Sequence, residues 1–198
     1  MISMGLGGGQ QEWDDYVWFP SGRVLVDPAT VLTDSDPLSA ALVERVTSDP
    51  LWVEGDAPRV LLVDLDNLRA GPARWRARMA VMVALARQAD HVAMAGQAGA
   101  VRRALPFLEE FAAIATEVPA GSDLADVALL ALIDELDLPD AQTLVVSNDG
   151  IFAELAHVGP LVVLSPGRDA LSDALETVAE RVVDLALLEQ SVASGQLD

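Results

Sequence analysis

From Arg59 onward the apolar positions of the chain come in two kinds of run that take turns. Short continuous runs, RVLLVD at 59–64, HVAMAG at 91–96, IATEV at 114–118, TLVVS at 143–147 and LVVL at 161–164, have the length of buried strands. Between them, apolar residues recur at helical spacing over Ala73–Ala89, Gly99–Ala113, Ser122–Leu136 and, briefly, Gly150–Ala156, and a closing helix is predicted over Leu171–Leu188. Pro106 is expected to bend the second of these helices, because it lacks an N–H and its ring crowds the preceding turn. Strands that are apolar throughout, alternating with helices, imply a parallel sheet covered on both faces. Right-handed crossovers then make an α/β, Rossmann-like three-layer domain with the strand at Leu61 in its centre.

The pattern before Arg59 is different. Residues 1–12 are rich in Gly and Gln and read as an unstructured start, Tyr16–Val26 as a hairpin around a Ser-Gly turn, Pro37–Ser48 as a helix with Leu38, Ala41, Leu42 and Val46 on one face, and 50–58 as a connector. The expected organisation is an N-terminal extension over 1–58, one domain over 59–188 and a tail over 189–198. Trp13, Tyr16, Trp18 and Phe19 are of a type that can stack on bases, but packing against their own domain is the commoner use.

Composition narrows the chemistry. With 198 residues, 52% of them hydrophobic, the chain can bury a core, and with only 5% aromatics that core is built mainly from Ala, Val and Leu. There is no cysteine, which excludes disulfides, thiolate metal sites and cysteine nucleophiles. The start, MISMGLGGGQ, has no charged, apolar leader pattern, and apolar stretches such as Val127–Ile133 are too short to span a bilayer. A soluble, cytoplasmic protein with no membrane partner is expected. The net charge of −19 opposes general binding to phosphates. All 12 basic residues are arginine, and Arg69, Arg74, Arg76, Arg78, Arg87, Arg102 and Arg103 fall in one stretch whose only acid is Asp90. Without lysine, neither a phosphate-binding loop of the usual kind nor Schiff-base chemistry is available. The arginine stretch is a candidate phosphate-contacting patch, with Arg69, Arg74 and Arg78 foremost; pairing with acids elsewhere, or with a second subunit in a homodimer, is the competing use. His91 and His157 are given no role.

In an open parallel sheet, ligands gather beyond the carboxyl ends of the strands. Asp64, Asp66 and Asn67 follow the first strand, Ser122, Asp123 and Asp126 the third, and Ser147, Asn148 and Asp149 the fourth. Carboxylates brought together repel one another unless a cation neutralises them. A hard divalent ion, Mg²⁺ or Mn²⁺, suits oxygen ligands better than zinc does. Asp and Ser are also ordinary helix caps, so any one of these residues alone signifies little.

These segments resemble the NYN family, relatives of the PIN domains. VDLDN, ending at Asn67, is similar to its opening motif of an Asp followed three residues later by Asn; LADVALLALIDEL at 124–136 resembles its central helix; VVSNDGIFAEL at 145–155 resembles its Ser-x-Asp segment with a Phe three positions on. The resemblance covers about 59–188. It implies a metal-dependent endoribonuclease acting on RNA, and single-stranded RNA is the expected substrate. Asp64, Asp126 and Asp149 would be metal ligands, Asn67 would orient the first ligand or a water, and Ser147 would brace the loop. Ile151 stands where many members carry a further acid, and Pro-Ala-Gly-Ser stands where many have a basic residue; either one ligand would then be missing, or Asp66 or Asp123 would substitute. Two other readings stand beside this one. A catalytically weak PIN-like module could hold RNA or a protein partner. Asp64-Leu65-Asp66-Asn67-Leu68 also resembles the nucleophile motif of haloacid-dehalogenase-like phosphatases, but that chemistry calls for a lysine and a late pair of acids that this chain lacks.

Overall fold

A computed structural model of the chain describes residues 36–53, 55–121 and 123–195. The hairpin expected over Tyr16–Val26, the Gly- and Gln-rich start, the aromatics Trp13 to Phe19, and Ser122 all lie outside the described residues. The first helix, α1 (Pro37–Thr47), begins where the Asp36 carboxylate accepts hydrogen bonds from the Leu38 and Ser39 amides, at 3.2 and 3.5 Å, and Pro37 occupies the first turn. There follow β1 (Arg59–Asp64), α2 (Pro72–Ala86), β2 (His91–Gln97), α3 (Ala98–Ala104), β3 (Ala115–Val118), α4 (Leu124–Leu136), β4 (Gln142–Val146), β5 (Leu161–Ser165), α5 (Asp173–Val178), β6 (Arg181–Asp184) and α6 (Leu185–Ala193).

All six strands are parallel and lie in the order β3-β2-β1-β4-β5-β6. The central position of β1 follows from its composition. Val60, Leu61, Leu62 and Val63 have no exposed surface, and their alternating sides feed two cores. Leu61 and Val63 pack with α1, α2 and α6, while Val60 and Leu62 pack with α4 and α5. Each such side chain contributes roughly 1.5–3 kcal/mol by leaving water. The result is the expected α/β, Rossmann-like three-layer architecture.

The elements differ from expectation in three places. The closing helix predicted over Leu171–Leu188 is instead α5, the edge strand β6 and α6, with Ala179 extended between them. Val182 and Val183 fit a four-residue strand as well as a helix, and no Gly or Pro marks the change, so periodicity alone could not separate the two. The second helix stops at Ala104, and short 3-10 helices at Leu105–Phe107 and Glu109–Ile114 replace the rest, with Pro106 inside the first of them. The short helix expected over Gly150–Ala156 is present over Gly150–His157 and is of the 3-10 kind. The expected boundaries also cut through packed structure: α1 contributes Leu42 and Val46 to the core, and α6 runs beyond residue 188 to bury Glu189. Among the described residues no helix is long and apolar enough to cross a membrane.

Candidate functional site

The strand order reverses direction between β1 and β4, since β2 and β3 lie to one side and β4, β5 and β6 to the other. Such a switch point opens a crevice beyond the carboxyl ends of the two strands. Asp64 is the last residue of β1 and only 2% exposed. Its Oδ1 accepts from the amides of Asp66 at 2.9 Å and Asn67 at 3.3 Å; its Oδ2 accepts from Asn67 Nδ2 and from the Ser147 hydroxyl at 3.2 Å. Burial raises the Asp64 carboxyl above the usual carboxylate range, against the opposing pull of these hydrogen bonds.

Ser147, fully buried just after β4, is the link between strands. Its Oγ donates to Asp64 and accepts from the Asp149 amide at 3.1 Å, so the Asp149 loop hangs from the end of β1. Asp149 is exposed, and its Oδ1 caps the following 3-10 turn through the Ile151 amide at 3.2 Å. The chain turns tightly here. A Cβ on Gly150 would sit 2.6 Å from the Ser172 hydroxyl, so the loop tolerates nothing larger without displacing Ser172.

Asp126 comes from the first turn of α4 and is 5% exposed. Its Oδ1 is buried and has no hydrogen-bond partner among the described residues. Burial first, then the negative charges of Asp64, Asp149, Asp123 and Asp66, push its carboxyl from 3.8 up to about 7. Carboxylate oxygens of Asp123, Asp126 and Asp149 lie within 4.8 Å of one another, a spacing that could hold a metal ion. Of the expected ligands, Asp126 and Asp149 are in this group and Asp64 is not; Asp123, expected as a support or as the substitute for a missing ligand, is a member.

The remaining site residues are engaged in structure. Asp66 Oδ2 accepts from the Gln97 amide at 2.9 Å, which ties the β1 loop to the end of β2. Asn67 donates to Asp64. Asn148 was expected beyond the fourth strand, but its link to Ser165 escaped the sequence reading: Asn148 Oδ1 accepts from the Ser165 hydroxyl at 2.6 Å, and its Nδ2 donates to the Gly167 carbonyl at 3.1 Å, extending the network to the end of β5. Ser165 closes an apolar strand much as Asp64 does, and that was the available signal.

The arginine stretch divides. Arg78 is 4% exposed and bound to buried Glu189, at 2.6 and 3.1 Å, and to the Pro166 carbonyl at 2.9 Å. Arg87 pairs with Glu109 and Glu110, and Arg76 lies 3.5 Å from Asp36. Arg103 stacks 3.9 Å above the Trp75 ring and donates to the Ala70 carbonyl at 2.7 Å. Arg74 is 54% exposed, with Glu189 at 3.8 Å. Arg69 and Arg102 are exposed and form no ion pair among the described residues. No protein-family model matches the chain, and no curated protein matches it.

Proposed function

We propose that the chain is a PIN-like, NYN-type endoribonuclease that hydrolyses RNA phosphodiester bonds with the help of Mg²⁺ or Mn²⁺. The observation that carries this reading is Asp126, whose Oδ1 is buried and unpartnered and whose carboxylate lies within 4.8 Å of those of Asp123 and Asp149, at the switch point of a parallel sheet. A bare carboxylate oxygen in such a place is costly unless a proton or a cation meets it, and above its raised pKa only a cation can. A bound divalent ion supplies positive charge against the phosphate and lowers the pKa of a water. Asp126 and Asp149 hold that charge in place, and Ser147, suspended from Asp64, fixes the Asp149 loop. In the reaction a water oxygen attacks phosphorus, one P–O ester bond breaks and the leaving oxygen takes up a proton.

Arg69 and Arg74 are the arginines best suited to phosphate contact, because Arg78 is committed to Glu189. Single-stranded RNA is the proposed substrate, and Ile151, in place of a further acid, makes the enzyme demand more metal. The phosphatase reading fares worse. All four lone-pair directions of Asp64 are occupied by hydrogen bonds, which leaves it poorly prepared to attack phosphorus.

The test is cleavage of single-stranded RNA across a Mn²⁺ titration by wild type, Asp126→Asn and Asp149→Asn. Wild type is expected to cut internally, and each variant to lose roughly 100-fold or more while remaining folded. Equal cleavage by all three would mean a contaminant and defeat the proposal. Mn²⁺ binding without cleavage of any RNA would favour a catalytically weak binding module on the same fold.

A further inference from the structure

We infer that RNA lies over one flank of the crevice only, that of β1 and β2, where Arg69, Arg74 and Arg102 hold its phosphates; this rests on the ribonuclease reading above. Acids outnumber arginines 31 to 12 in this chain, so an exposed arginine has many carboxylates to pair with. Arg69 and Arg102 are exposed and nevertheless form no ion pair among the described residues. Arg74, 54% exposed, lies 3.8 Å from Glu189, but that carboxylate already holds Arg78 at 2.6 Å. One carboxylate against two guanidinium groups leaves a positive charge over, and Arg74 is the exposed one of the two.

The same flank is held in place. The loop after β1 offers the carbonyls of Leu68, Arg69 and Ala70 to two further arginines. Arg78 Nη1 donates to the first two, at 3.5 and 3.4 Å, and Arg103 Nη2 to the third, at 2.7 Å. Arg78 is itself fixed by Glu189 and the Pro166 carbonyl, and Arg103 by the Trp75 ring. A loop gripped by charged donors presents Arg69 from a set place, so less freedom is lost when a phosphate binds. The Arg103–Ala70 bond also sets this loop against α3, the helix that carries Arg102. The Gln97 amide, just before that helix, donates to Asp66. The three exposed cations therefore border the carboxyl ends of β1 and β2, on one side of the switch point. On the other side, Asp169 and Asp173 follow β5, Asp184 ends β6, and Arg168 is paired with Glu176. Phosphates are attracted to the first flank and repelled by the second.

The experiment measures binding of a short, fluorescently labelled single-stranded RNA to the full chain by anisotropy, across a NaCl series. Ca²⁺ is the cation, and the strand is checked intact on a gel. Arg69→Ala combined with Arg102→Ala should weaken binding roughly tenfold or more at low salt. It should also reduce the slope of log affinity against log salt by about 1.4, two phosphates at about 0.7 each. Arg45→Ala combined with Arg168→Ala makes the same change of net charge away from that flank and should leave the slope unchanged. All four arginines are exposed, so both double variants should fold as the wild type does. A change in the second pair as large as in the first would overturn the flank assignment. So would an unchanged slope in the first pair while RNA still binds; either result leaves the ribonuclease reading to its own cleavage test. A wild type that binds no RNA at any salt would overturn both.

Discussion

At the scale of single residues, Asp126 governs how the site responds to pH. Its folded-state pKa, about 7, lies above its ordinary value of 3.8, so between these values the folded protein holds a proton that the unfolded chain has released. The stability this contributes is fully present below the lower value and is lost as pH rises through the upper one. Asp64 is shifted in the same direction and adds to the same trend. In chelator, the melting temperature of the wild type should therefore fall between roughly pH 5 and pH 8, and Asp126→Asn should flatten the decline and melt higher at the alkaline end. Thermal denaturation at stepped pH measures this; parallel curves for the two proteins would show that Asp126 ionises without penalty.

At the scale of elements, the helices are held by unlike means. The Arg78–Glu189 pair joins α2 to α6 from positions 4% and 1% exposed. Removing one partner strands the other charge in the core, so Glu189→Gln should cost about 3–5 kcal/mol in urea unfolding. Arg168→Ala, which breaks a pair whose side chains are 56% and 39% exposed, should cost less than about 1 kcal/mol. Equal effects would mean that the buried pair is hydrated. Helix α4 makes the corresponding apolar contrast within two residues. Leu129, with no exposed surface, should cost about 2–5 kcal/mol when cut to Ala, whereas Val127, 53% exposed, should cost no more than about 0.5 kcal/mol. The same unfolding experiment reads both, and a large loss at Val127 would reveal that another surface covers it.

At the scale of the whole molecule, the net charge of −19 sets the background against which the site acts. Salt should raise the melting temperature by screening self-repulsion. Millimolar Mg²⁺ should raise it further than NaCl of the same ionic strength, because site binding stabilises the folded state by mass action while screening does not distinguish the ions. In Asp126→Asn that excess should disappear. If Mg²⁺ and NaCl give the same curve in the wild type, the divalent ion is acting only as a screen.

The alternation of apolar runs determined the fold by itself. Strands buried on both sides must be covered on both sides, and five of the six strands, the central place of β1 and the strand-end positions of Asp64, Asp126 and Asp149 were legible on that ground alone. The sixth strand was not, because four residues at a sheet edge carry too few apolar positions to distinguish period two from period three and a half. Spacing along the chain could say which residues reach the crevice, but not how their oxygens would be used. Only the tertiary structure filled Asp64 with hydrogen bonds, left Asp126 Oδ1 bare, turned Asp123 toward its neighbours and drew Arg78 to Glu189 across 111 residues. Hydrogen bonds and ion pairs depend on distances of a few ångströms between segments remote in sequence, and those distances exist only once the chain has packed.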